Sequence, residues 1–258
     1  MTRTIITFSF RESLILFQRN LKHIFRNPES LMISMFLPVM LMLLFVFVFG
    51  GAIQTGTEYV NYIVPGIIVT CVGYGSSMTA TSVCQDMVGG LFDRFRSMPI
   101  RPSSLLFGHV AGSFVRNAIS STLVICVAIL TGFRPDATFV EWIWVILLLC
   151  LFLFSISWLS VVFGLLAKNI ETASAFSFGI MFLPYISSAF VPTETMPSWL
   201  HPFAEYQPMT PLIDTLRGLL IGTYIGESAW LSVLWFCALL TVSFVLANLI
   251  FIRRGRTG

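Results

Sequence analysis

The sequence predicts an all-α polytopic membrane protein, and three observations support this fold class. Hydrophobic residues make up 56% of the 258 residues, whereas charged residues make up only 10%, against roughly 25% in a soluble domain. The mean hydropathy is +0.87. The apolar residues are also gathered in runs of about 20, the length of helix that crosses a hydrocarbon layer of ~30 Å. Lipid is therefore the main solvent that we expect for this chain.

The first 28 residues predict a helix that lies flat on the membrane. Apolar residues recur at helical spacing between Ile6 and Phe25, and Arg11, Arg19 and Lys22 lie largely on the opposite face. Cations on the polar face suit an interfacial helix at an anionic inner leaflet. Packing of the same helix on a partner protein is the alternative. We treat 1–28 as this helix and 29–258 as the membrane domain.

Six apolar segments in the membrane domain are long enough to be transmembrane helices. Proline or glycine occurs inside several of them, which membrane helices tolerate where neighbours satisfy the freed backbone groups. We place the six spans near residues 31–50, 61–83, 110–131, 142–166, 172–191 and 230–252.

The distribution of lysine and arginine predicts the orientation. With the N-terminus inside, the inner segments hold twelve of these cations and the outer segments hold only Arg134 and Arg217. This bias is typical of chains with both termini in the cytoplasm. The remaining cation, Arg116, falls inside the third span near its inner end. Its side chain either extends to the inner interface or makes a polar contact within the helix bundle.

The loop between the second and third spans, residues 84–109, has a helical pattern of its own. Apolar residues from Val88 to Met98 share one face and charged residues from Asp86 to Arg96 share the other. Pro99 and Pro102 are expected to end this helix, because proline lacks an amide donor. From the pattern alone, the helix either binds a cytoplasmic partner or rests on the inner leaflet.

The outer segment before the last span, residues 192–229, is much longer than the other outer loops. Five prolines divide it into short apolar pieces, and the piece from Leu212 to Leu220 has helical spacing with Asp214 and Arg217 beside it. These pieces are too short to cross the membrane and too apolar for water. They predict short re-entrant helices that the rest of the protein shelters.

Three passages resemble the ABC-2-type transporter permeases, and most closely the drug-resistance (daunorubicin-exporter-like) branch, over essentially the whole chain. They are Gly90 to Pro99, Arg101 to Gly108 with the following Arg116-Asn117, and Met196 to Gly218. Pro211 stands where many members have histidine, serine or tyrosine, so the resemblance implies no polar role there.

The resemblance implies a dimer of six-span subunits, each paired with a separate ABC ATP-binding subunit that holds ATP and magnesium. Within this chain, it implies a helix that couples to that ATPase, formed by Asp86, Gly90, Leu91, Phe92, Asp93, Arg94, Phe95, Arg96 and Pro99. It also implies an outer gate, for which we select Trp199, Glu205, Pro208, Asp214 and Arg217. An exposed loop without a gating role is the alternative for this segment. The substrate expected of the family branch is a drug-like or lipid-like amphiphile that moves outward.

Other function classes fit the sequence less well. The motif G-x-x-x-x-G-K-[ST] that holds ATP phosphates is absent. We therefore expect the partner subunit to hydrolyse ATP, and we expect this chain to bind no cofactor. An ion-driven carrier would need an intramembrane acid, and the sequence places none in mid-span. A membrane enzyme would need a catalytic or metal cluster, but His23, His109 and His201 are scattered. We expect no nucleic acid partner.

Overall fold

The computed structural model describes residues 28–53, 57–90 and 102–254, and every regular element within these ranges is helical. The main helices are α1 (Pro28–Leu44), α2 (Tyr59–Val88), α3 (Pro102–Leu130), α4 (Phe139–Leu166), α5 (Ile170–Phe182), α6 (His201–Tyr206), α7 (Met209–Ile221) and α8 (Ser228–Arg254). A π-helical turn, Phe45–Phe49, extends α1, and a 3-10 turn, Leu183–Ile186, extends α5. The predicted all-α class is confirmed. The interfacial helix predicted for residues 1–28 lies outside the described residues except for Pro28.

Four helices are long and apolar enough to cross a membrane, namely α2, α3 from Leu106, α4 and α8 as far as Arg253. Two shorter apolar helices, Met35–Phe49 and Ile170–Ile186, fall where the first and fifth spans were expected. The count of six spans therefore stays a prediction. Each expected span nevertheless coincides with an apolar helix, because runs of hydrophobic residues leave the backbone to satisfy its own hydrogen bonds.

Helix α2 is the centre of the bundle. Within its apolar window, 83% of the residues are buried, against 17% for α8. Helices α3, α4 and α5 all pack against it, and small residues allow the close approach. A Cβ atom added at Gly66 would lie 2.6 Å from the Cβ of Ala189, and one added at Gly164 would lie 2.6 Å from the carbonyl oxygen of Ala80.

The bundle has two ends that matter for function. The loop end is where α2 finishes and α3 begins, at residues 85–109. The cap end is where α2 begins and α5 finishes, and it includes residues 187–227 with the short helices α6 and α7. Helix α7 is almost entirely buried, with Leu212, Ile213 and Leu216 fully enclosed.

Two boundaries at the loop end differ from the sequence-based expectation. Helix α2 continues to Val88 and stops at Gly89-Gly90, where Gly90 takes a φ of +69° that favours glycine. Asp86 and Val88 therefore belong to α2 rather than to a separate helix. Pro102 was expected to end a helix, but it is the first residue of α3, a position where its missing amide costs no hydrogen bond.

Candidate functional site

A network around Arg217 joins three helices at the cap end. The Arg217 side chain is only 7% exposed. It donates from Nη1 to Asp214 Oδ1 at 2.7 Å, from Nη2 to the Ser188 carbonyl at 2.6 Å, and from Nε to the Tyr62 carbonyl at 3.2 Å. Its Cζ atom also lies 3.8 Å from the ring centroid of Tyr62. One guanidinium thus ties α7 to α2 and to the chain just after α5.

Asp214 is the acidic partner in this network. It accepts a second hydrogen bond from the Ser188 hydroxyl, at 2.6 Å. Burial raises the pKa of the Asp214 carboxyl above its ordinary value, while the Ser188 hydroxyl and the charge of Arg217 act in the opposite direction. The ion pair therefore offsets part of a desolvation cost that favours the neutral acid.

Two further side chains of the α6–α7 segment bind the end of α5. Gln207 donates from Nε2 to the carbonyls of Leu183 and Ile186, at 3.1 and 2.8 Å. Thr210 accepts a hydrogen bond from the Ser188 amide at 3.3 Å and donates to the Ala204 carbonyl. Carbonyls at a helix end have no partner inside the helix, so the two Gln207 hydrogen bonds supply what the end of α5 lacks, and Thr210 binds the chain just after it.

Two cavities lie side by side at the cap end. The polar one has a volume of about 590 Å³, and its lining includes Tyr62, Glu205, Asp214 and Arg217. The apolar one has a volume of about 660 Å³ and is an open groove lined by α4, α7 and α8. Ile225 and Gly226 line both cavities, so a polar and an apolar compartment meet at one short segment.

The structure brings together some of the gate residues chosen from the sequence. Asp214 and Arg217 form an ion pair, and Glu205 lines the same polar cavity. Pro208 is the residue before α7. Trp199 is 77% exposed in the turn before α6.

Sequence reasoning missed Tyr62, Ser188, Gln207 and Thr210 as members of this network. A pair of serines, Ser187-Ser188, at the end of an apolar run was the one available signal. Most of the other contacts use backbone groups, which no side-chain pattern reveals.

A second set of polar contacts lies on the α2–α3 pair toward the loop end. His109 Nε2 lies 3.2 Å from Asp86 Oδ2. Arg116 is 8% exposed and donates from Nη2 to the Gly75 carbonyl at 3.0 Å and to Thr79 Oγ1 at 2.8 Å. The side chain of Arg116 therefore makes a polar contact within the bundle and does not extend to an interface. Helix α3 begins at Pro102, so Arg116 lies about 21 Å from the start of that helix.

Most of the predicted ATPase-coupling helix lies outside the described residues. The structure places Asp86 in the last turns of α2 and Gly90 just after it. The remaining residues of that prediction, Leu91, Phe92, Asp93, Arg94, Phe95, Arg96 and Pro99, fall in the range 91–101 that is not described.

Comparisons with known proteins agree with the family resemblance. The model of the family "ABC-2 type transporter" matches residues 11–221. The daunorubicin resistance ABC transporter permease protein DrrB1 of Streptomyces coeruleorubidus is 32% identical over 198 residues, which cover 76% of this chain and 70% of the relative.

Two more distant relatives share a similar length of the chain. The probable doxorubicin resistance ABC transporter permease protein DrrC of Mycobacterium tuberculosis is 21% identical over 201 residues, covering 72% of this chain and 68% of the relative. ABC transporter G family member 20 of Dictyostelium discoideum is 25% identical over 204 residues, 72% of this chain but 27% of the relative.

The network predicts that Arg217→Gln destabilises the fold. The change removes the partner of Asp214 and leaves two backbone carbonyls without their donor. We expect the free energy of unfolding to fall by about 2 kcal/mol or more. The effect is modest for a buried ion pair, because Asp214 is partly exposed. Thermal unfolding of the full chain in detergent measures it. Arg134→Gln, at an exposed position of the same end, is the matched control, and equal shifts for the two variants would contradict the prediction.

Proposed function

Because this chain belongs to the ABC-2 type transporter family, we propose that it is the transmembrane subunit of an ATP-driven exporter. In this proposal, it moves an amphiphilic substrate outward by alternating access, and a separate ABC ATP-binding subunit holds ATP and magnesium. The loop end and both chain termini lie on the cytoplasmic side of a bacterial membrane, and the cap end faces outward. All six apolar segments cross the membrane.

The observation that carries the proposal is that one buried helix connects the two functional ends. Helix α2 contributes the Tyr62 carbonyl and ring to the Arg217 network at the cap end. The same helix contributes Thr79 and Asp86 to the polar contacts with α3, beside the loop of residues 89–101. A displacement of the loop is therefore transmitted along a packed helix to the cap.

Coupling to the ATPase is assigned to the loop of residues 84–109. Leu91, Phe92 and Phe95 fall on one face of the predicted helix and would insert into a groove of the ATP-binding subunit. Apolar anchors within a polar rim concentrate the energy of compact interfaces. Asp93, Arg94 and Arg96 would set the register at the rim. Asp86, which pairs with His109, would hold the base of the loop.

The adjoining cavities at the cap end support the proposed substrate class. A molecule with an apolar body and a polar group matches an apolar cavity that meets a polar one at Ile225 and Gly226. The printed names of two relatives connect them with resistance to daunorubicin and doxorubicin. Daunorubicin is therefore the first probe that we would test.

The outer gate is assigned to the Arg217 network and the α6–α7 segment. The network closes α7 onto α2 and onto the end of α5, which corresponds to a closed cap. Opening would exchange these contacts for water, so the polar groups of Asp214 and Arg217 stay satisfied in either state.

A second copy of the chain is proposed to face the inner half of α2. Tyr74, Ser77, Thr81 and Gln85 recur at intervals of three and four, and each is at least partly exposed. Polar side chains that face hydrocarbon are costly and usually line a protein contact or a water path. We propose that this stripe, residues 74–85, lines a water-accessible path between two protomers.

Replacing Phe95 by Asp tests the coupling assignment. A charge in an apolar anchor costs at least ~2 kcal/mol, so binding of a co-expressed ABC ATP-binding subunit should weaken about 30-fold. Co-purification in detergent and ATP hydrolysis of the assembly measure the effect. Phe95→Leu, which keeps an apolar anchor, should retain the subunit.

Two outcomes of that experiment would count against the proposal. Normal retention and hydrolysis with Phe95→Asp would show that the loop is not the docking site. If the native chain binds no ATP-binding subunit, an ion-driven carrier becomes the better hypothesis, and transport under an ion gradient is its test.

A reversible tether tests the gate. The Asp136 amide donates to the Leu220 carbonyl at 2.9 Å, so the two residues are adjacent, and cysteines at these positions are the pair that we would test for a disulfide. In a chain without its native cysteines, oxidation should lower daunorubicin export from cells at least tenfold, and a reductant should restore it. Export that is equal in the oxidised and reduced states would show that α7 does not move against this loop.

Adjacent serines on α2 test the proposed water path. The cysteine of Ser77→Cys should react with a water-soluble maleimide in membranes. This reaction should be slower when a second copy of the chain is cross-linked across the stripe. Ser76→Cys is the control, because Ser76 is fully buried and should react at least tenfold more slowly. Equal rates at the two positions would remove the water path from the proposal.

A further inference from the structure

The polar contacts between α2 and α3 share a single register. Thr79 and Asp86 are seven residues apart on α2, and their partners Arg116 and His109 are seven residues apart on α3. Seven residues are close to two helical turns, so both contacts lie along the same face of each helix. The two antiparallel helices are therefore joined at two points by matched polar groups.

The helices also fit closely beside these contacts. A Cβ atom added at Gly75 would lie 1.8 Å from Asn117 Oδ1 and 2.8 Å from Asn117 Cγ, so Asn117 occupies the notch that glycine leaves. Asn117 Nδ2 donates to Ser113 Oγ at 3.2 Å, and Ser157 of α4 donates to the same oxygen at 3.0 Å. The α2–α3 pair is thereby bound to α4 as well.

This arrangement resists sliding of one helix past the other. Because the two contacts have equal spacing, a shift along the helix axis breaks both of them together. The guanidinium of Arg116 is held by uncharged oxygens deep in the bundle, where an unsatisfied charged group is far more costly than in water. Asn117 in the Gly75 notch blocks the same movement sterically.

We propose that Arg116 and His109 are positioning residues that make α2 and α3 move as one lever when the loop between them is displaced. This inference rests on the proposed function, in which an ATP-binding subunit displaces that loop. The contacts lie between the loop and the cap, so they determine how much of the displacement reaches the Arg217 network. Without these contacts, the partner subunit still hydrolyses ATP, but α2 and α3 slide past each other and the displacement does not reach the cap.

Two pairs of substitutions test the lever. Thr79→Val removes the hydroxyl that accepts from Arg116 and preserves the side-chain shape, whereas Thr79→Ser keeps the hydroxyl. His109→Leu removes the ring nitrogen that lies 3.2 Å from Asp86 Oδ2, whereas His109→Gln keeps a polar nitrogen at a similar distance from the backbone. Thr122→Val is the control on α3, because the Thr122 hydroxyl is exposed and donates to the Ala118 carbonyl of its own helix.

The reporter is a cysteine at Tyr224, which is 95% exposed at the cap end, in a chain without native cysteines. The full chain with its co-expressed ATP-binding subunit is reconstituted in liposomes. We measure ATP hydrolysis and the ATP-dependent change in the rate at which an impermeant maleimide labels the cysteine. Thr79→Val should keep hydrolysis within twofold, and both Thr79→Val and His109→Leu should lose at least two thirds of the labelling response. Thr79→Ser, His109→Gln and Thr122→Val should retain the response.

The outcomes separate this inference from the proposed function. A parent chain that retains no ATP-binding subunit would overturn the proposed function and the lever with it. Retained hydrolysis with a full labelling response in Thr79→Val and His109→Leu would overturn the lever alone. A parent chain whose labelling rate does not change with ATP would also overturn the lever. Loss of folded assembly in both variants would make the contacts merely structural and would overturn it too.

Discussion

The cap end depends on one constraint, which is that backbone carbonyls at a helix end need partners wherever water is scarce. Helix α5 and its 3-10 turn finish at Ile186, and their last carbonyls cannot be satisfied within the helix. Gln207 donates to two of them, and Arg217 donates to the carbonyl of Ser188 just beyond. The positions of α6 and α7 follow from this requirement, because their side chains must reach the end of α5. The polar cavity and the ion pair of Arg217 with Asp214 are consequences of the same packing.

The sequence was a good guide to where helices lie and a poor guide to what they contact. Runs of apolar residues located a helix for every expected span, because the hydrocarbon requirement acts on each segment separately. The boundaries at Gly89-Gly90 and Pro102 depend on backbone geometry, and there the amphipathic pattern misled. Proline was taken as a helix stop at residue 102, although the first position of a helix accepts it equally well.

The candidate site was predictable only in part for a related reason. Asp214 and Arg217 could be chosen because charges are rare in this chain and their spacing of three residues places them together on a helix. Tyr62 lies 155 residues from Arg217 in the sequence and Ser188 lies 29 residues from it. Both contribute carbonyl oxygens, which every residue has. Arg116 was ambiguous in the sequence, because its two possible environments differ in what α2 places opposite it, and a single sequence does not show that pairing.

The structure contrasts two kinds of helix terminus, and the contrast bears on the order of biosynthesis. The start of α4 is closed by a capping box of Thr138 and Glu141, which lie three residues apart. That terminus is complete as soon as those residues are made. The end of α5 instead waits for Gln207 and Arg217, which leave the ribosome some 20 to 30 residues later. In a chain that is inserted from its N-terminus, the fifth apolar helix therefore stays unfinished at the cap end until α7 has been synthesised and has folded back onto it.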